Sequence, residues 1–169
     1  MPPSPPCPLS IRKCTVQSRD AAQAARELHA ALDQPEIKLA VFYCAADMDL
    51  PALAEGLHQR FGDANLIGCT TAGEITPQGY LSGTVTGFSL AGGDLDVATR
   101  MIALDPFDSV ATAGEVTALL DGLGPRDGRP PGAGDTFGFL LIDGLAMQEE
   151  LAVSCIHHHL RGIDLIGGS

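Results

Sequence analysis

Two short apolar runs constrain this chain more than any other feature: "KLAVFYC" at residues 38–44 and "NLIGC" at residues 65–69. Each has the length of a strand, and neither alternates with polar residues. A strand that is apolar at successive positions is one covered on both faces, the habit of parallel strands between helical layers. Helical patterns precede both runs. Ser18 or Asp20 can cap a helix reaching Leu32, with Ala21, Ala25, Leu28 and Leu32 on one face. Asp49 opens a second helix that turns Leu53, Leu57 and Phe61 inward. With an alternating strand at residues 10–16, the order is β-α-β-α-β. This predicts an α/β fold, a mixed β-sheet layered with helices.

Beyond residue 79 the rhythm changes. Residues 80–90 and 94–102 read as two strands joined by Ala91-Gly92-Gly93, since paired glycines suit a hairpin turn. A helix is expected over 108–122, a Gly/Pro-rich loop over 124–135, a buried strand over 136–144 and a helix over 147–160. "LIGGS" at residues 165–169 then echoes "LIGCT" at 66–70, each following a helix. An apolar strand and glycine turn at the end of the sequence suggest the N-terminal part of something longer.

Composition narrows the function. The net charge of −11, from 21 acidic and 10 basic residues, disfavours nucleic acid, whose phosphates require Lys and Arg. No apolar run is long enough to span a membrane. The first ten residues, "MPPSPPCPLS", lack the pattern of a secretory signal, and residues 1–9 read as a disordered Pro-rich leader. The five cysteines are scattered without Cys-x-x-Cys spacing, which favours reduced thiols in the cytoplasm. No Gly-x-Ser-x-Gly elbow appears, and no nucleophile, base and orienter occur together, so an enzyme is not expected.

The most unusual stretch is "LIGCTTAGEITPQGY", residues 66–80. Its apolar strand gives way to Gly68, Cys69, Thr70, Thr71, Ala72, Gly73 and Glu74. These residues suit a corner whose glycines set backbone angles and whose hydroxyls tie the turn to itself. They equally suit a nest of amides and hydroxyls that grips an anion or carboxylate, with Glu74 free to meet an ammonium group. The P-loop spacing and lysine are absent, which removes nucleoside triphosphates.

"LAVFYC", "LIGCTTAGEITPQGY", "LLIDGL" with Glu149-Glu150, and the closing "IGGS" resemble the N-terminal half of a FIST domain over residues 10–169. That resemblance implies a sensory module whose C-terminal half lies outside this sequence. It implies a small-molecule ligand, either an amino acid or similar metabolite, or haem in a nitric-oxide-sensing branch. That branch partners histidine kinases or cyclic-di-GMP enzymes. "ARELHAALDQPEIKLAVFYC" and "GEITPQGY" are more similar to the haem branch, so haem is the preferred ligand; a homodimer and a plain protein-interaction scaffold stay open.

A haem needs an axial ligand, for which imidazole is the commonest choice. His29 and His58 each border the buried face of their helix, where a histidine is also at home as a packed amphipathic side chain. His157, His158 and His159 are consecutive, so a helix splays them about 100° apart. Cys7-Pro8 has the form of a haem-regulatory dipeptide. Cys44 and Cys69 end adjacent strands.

Overall fold

Parallel pairing of the two apolar runs organises the first part of the chain. A computed structural model describes residues 8–169; the proposed leader falls largely on residues 1–7, outside the described residues, as does Cys7. β1 (Ser10–Val16), β2 (Ile37–Ala45), β3 (Asn65–Thr71) and β6 (Val85–Ala91) form a mixed sheet in the order β1-β6-β2-β3. β2 and β3 run parallel across the α2 crossover (Leu50–Phe61), while β6 is antiparallel to both β1 and β2. β4 (Glu74–Thr76) and β5 (Gly79–Leu81) make a small hairpin of their own.

The helices start where short acidic side chains satisfy their first amides. Asp20 accepts from the Gln23 amide at 2.6 Å and opens α1 (Ala21–Leu32); Asp49 accepts from Ala52 at 3.1 Å and opens α2. Ala24, Ala25, Leu28 and Leu32 of α1 and Leu53, Leu57 and Phe61 of α2 join Ala40, Phe42, Cys44 and Val85 in one aliphatic core. The helices approach closely because Gly56 faces Ala25: a methyl group on Gly56 would lie 2.9 Å from the Ala25 Cβ. One turn further along both, the ring of His29 meets Phe61, so α1 and α2 run in the same direction. β2 is buried on both faces, as its unbroken apolar run requires. β3 departs from expectation. It is an edge strand and only half-buried, because nothing pairs with its outer side among the described residues.

The strand expected over 94–102 does not form, and neither does the hairpin at Ala91-Gly92-Gly93. The cause is topological: β6 already has β1 on one edge and β2 on the other, leaving no edge for a returning strand. Gly92, at φ 146°, instead donates to the Glu36 carbonyl. The single strand expected over 80–90 is broken at Ser82-Gly83-Thr84, where Gly83 adopts φ 69°.

Contacts divide the chain at Val97, and Ala98–Ser169 is a second compact unit. It holds α3 (Ser109–Leu123), β7 (Phe137–Leu141), a 3-10 turn (Gly144–Ala146), α4 (Glu149–His159) and β8 (Asp164–Gly168). α4 starts two residues later than the pattern suggested, since Met147 takes a left-handed conformation at φ 53°. β7 and β8 are parallel, so β7-α4-β8 repeats the plan of β2-α2-β3. The sequence echo is also a register echo: Gly68 sits opposite Phe42, and Gly167 opposite Leu140.

Candidate functional site

The residues Gly68 to Glu74 do not form one corner. Cys69, Thr70 and Thr71 continue the β3 ladder opposite Tyr43, Cys44 and Ala45, so only Ala72 and Gly73 make the turn and Glu74 already begins β4. The expected corner is therefore mostly the end of an edge strand. Each small residue has a specific tenant. The ring of Phe42 lies where a Gly68 side chain would be, 2.5 Å from its ideal Cβ. Tyr80 covers Gly73 in the same way, and its hydroxyl donates to the Ala72 carbonyl at 2.8 Å.

Glu74 points inward and is 2 % exposed. Its Oε1 accepts the Thr71 hydroxyl at 2.8 Å; its Oε2 accepts the Thr84 hydroxyl at 2.5 Å and the Thr84 amide at 3.4 Å. A buried carboxylate demands such donors, since an unpaired one would lose its hydration without return. The result is a tie between the end of β3 and the start of β6. Thr70 and Ala72 stay exposed beside it.

Next to this tie lies a hollow of about 80 Å³ lined by Arg19, Asp47, Met48 and Gly83. Arg19 and Asp47 form an exposed ion pair across it, 3.5 Å apart. Arg19 also lies against Gly83, the residue preceding Thr84. Sequence reasoning missed Arg19, Asp47 and Thr84. Arg19 and Asp47 flank the helix caps Asp20 and Asp49 and read as ordinary solvated charge. Thr84 reads as one more residue of a strand.

The thiols divide by sheet face. Cys69 stands opposite Tyr43, one register position from Cys44, so the two sulfurs point to opposite faces and do not pair. Burial pushes the Cys44 thiol up to about 11, with the neighbouring Cys69 and Glu74 adding to the rise. Burial raises Cys69 as well.

The histidines fall into different surroundings. His29 is half-buried, its ring edge against Phe61 at a centroid distance of 4.8 Å. His58 is exposed on α2. His157 and His158 are exposed, and His159 is half-buried with Nδ1 donating to the Cys155 carbonyl at 2.8 Å. Phe61 lines an open groove of about 440 Å³ together with Glu36, Ile37, Lys38, Asp63, Ala64 and Asn65. His29 is not among the residues lining this groove; for a haem seated there, Phe61 and Ile37 would offer apolar contact and Lys38 a partner for one propionate. Glu36 and Asp63 on the same groove oppose the propionates by charge. Among the described residues, no three metal-ligating side chains gather, and no helix is long and apolar enough to cross a membrane. Asp143 caps the 3-10 turn by accepting from the Leu145 amide at 2.9 Å.

A family model described as the FIST N domain matches residues 38–169. No curated protein matches the chain.

Proposed function

The chain belongs to the FIST N domain family, of sensory domains for small ligands in signal transduction, and on that premise we propose that its ligand binds at the carboxyl ends of β2 and β3. The supporting observation is that Arg19 of the Arg19–Asp47 pair lies against Gly83, the residue next to Thr84, which donates to Glu74. An exposed ion pair contributes about 1 kcal/mol or less, so a ligand that carries both charges replaces it at little cost. Arg19 suits the carboxylate of a small amino acid and Asp47 its ammonium group. Displacing Arg19 disturbs Gly83 and hence Thr84, the donor that holds Glu74. A binding event is thereby converted into a shift of β6 against β3. The receiver of that shift is a cytoplasmic signalling protein, such as a histidine kinase or a cyclic-di-GMP enzyme.

Thermal denaturation with a panel of amino acids tests this reading, because a ligand bound only by the folded state raises the midpoint. Arg19→Gln abolishes the rise and Thr70→Val with Thr71→Val reduces it, whereas unaltered binding in both variants refutes the site. Haem with nitric oxide is the second reading, favoured by the half-buried His29 beside Phe61. A violet absorption band lost in His29→Ala supports it; a colourless full-length protein removes it.

A further inference from the structure

An open groove lies at the other end of the same strands. We infer that the groove beneath Glu36, Lys38 and Asp63 binds a small molecule through its ammonium group. The groove measures about 440 Å³ and takes its apolar lining from Ile37, Phe61 and Ala64, which is room for a short aliphatic chain. Glu36, Lys38 and Asp63 bring charges of both signs to it, and none of the three forms an ion pair among the described residues.

Three features of the backbone shape this wall. Glu36 holds a left-handed conformation at φ 55°, which an L-residue with a long side chain adopts only when its surroundings enforce it. Its carbonyl is held by the Gly92 amide. Lys38 is the extra residue of a bulge: Ile37 pairs with Ala91 and Leu39 with Leu90, so nothing on β6 opposes it. Bulges of this kind re-aim a side chain and concentrate beside functional sites. Finally, α1 and α2 run in the same direction, and α2 ends here, at Phe61. The carbonyl terminus of α2 adds negative potential to that of Glu36 and Asp63, whereas at the end of α1 the Leu32 and Asp33 carbonyls are taken by Ser89 and Arg12. Phe61 adds an aromatic lining that suits an organic cation better than a metal ion.

This inference does not rest on the carboxyl-end site, which lies beyond the opposite ends of β2 and β3. Two probes share the ammonium group and differ in the remainder: putrescine, a diamine, and 4-aminobutyrate, which pairs its ammonium with a carboxylate. Calorimetric titration of the chain is expected to show binding of at least one at millimolar concentration or below. Glu36→Gln with Asp63→Asn should weaken that binding by about tenfold or more. Lys38→Gln supplies an opposite sign: it strengthens putrescine by removing a like charge and weakens 4-aminobutyrate by removing its partner. Those three side chains lie outside the aliphatic core, so unchanged thermal midpoints without ligand separate lost contacts from lost folding. Binding of neither probe overturns the inference, as does full affinity in the Glu36/Asp63 variant. Loss of amine binding in Thr70→Val with Thr71→Val, but not in the Glu36/Asp63 variant, places the amine at the other end and overturns this inference alone.

Discussion

Glu74 accepts the hydroxyl of Thr84 at 2.5 Å, and this contact ties the start of β4 to the residue that leads into β6. Replacing Glu74 by Ala leaves Thr71 and Thr84 facing a cavity with no acceptor. Charge-assisted hydrogen bonds contribute about 1.5–3 kcal/mol each, so the loss is expected to be about 3 kcal/mol of stability. Glu74→Gln keeps the volume and one acceptor and should lose about half as much. Urea denaturation of both variants measures the difference, and a loss of less than about 1 kcal/mol in Glu74→Ala would show that these hydrogen bonds contribute little.

Gly68 has a different neighbour. The buried ring of Phe42 occupies the space of its missing side chain, so Gly68→Ala forces that ring into the core. Overpacking of this sort costs about 1–3 kcal/mol. Phe42→Leu in the same chain should recover part of it, which a double-mutant cycle would read as coupling. Additive losses would refute the contact.

A buried polar network gives a third prediction. Ser89 is fully buried and donates to the Leu32 carbonyl at 2.7 Å, while Gln34 donates to the Ser89 hydroxyl at 2.9 Å. Ser89→Ala removes the donor to the buried Leu32 carbonyl, while Gln34 keeps the Ser89 and Ser10 carbonyls, and is expected to destabilise by about 1–3 kcal/mol. A midpoint within error of the parent in urea would contradict it.

Cys44 makes stability depend on pH in the alkaline range. Its thiol ionises near 11 when folded and near 9.0 in the unfolded chain. Between those values the unfolded state gives up its proton first, so stability is retained below about pH 9 and falls as pH rises towards 11. The fall attributable to this group is about 2–3 kcal/mol at most. Cys14 and Cys69 are raised in the same direction, so Cys44→Ala should reduce the slope without abolishing it. Chemical denaturation at three pH values above 8 measures this. A slope unchanged in Cys44→Ala would remove the assignment.

Local pattern carried the fold wherever one strand or helix decides its own burial. The runs around Val41 and Ile67, the caps Asp20 and Asp49, and the echo of Gly68 in Gly167 were all legible, because periodicity and capping act within a few residues. The strand expected at 94–102 failed for want of an edge, a property of β6 and its neighbours on either side. Membership of the family was legible in the same local signatures, which are what a family model matches.

The candidate site was legible only in part. Thr71 and Glu74 drew attention as a polar interruption, but their partner Thr84 lies ten residues past Glu74, just before β6. The hollow depends on Arg19 and Asp47 arriving from two separate loops. The groove likewise joins the residues before Lys38 to those before Asn65, which meet only because β2 and β3 are parallel. The sequence by itself determined which segments become strands and helices, since hydrophobic period and capping are written in neighbouring residues. The tertiary structure decided whether Glu74 faces water or Thr84, because a carboxylate's direction depends on donors brought to it from distant parts of the chain.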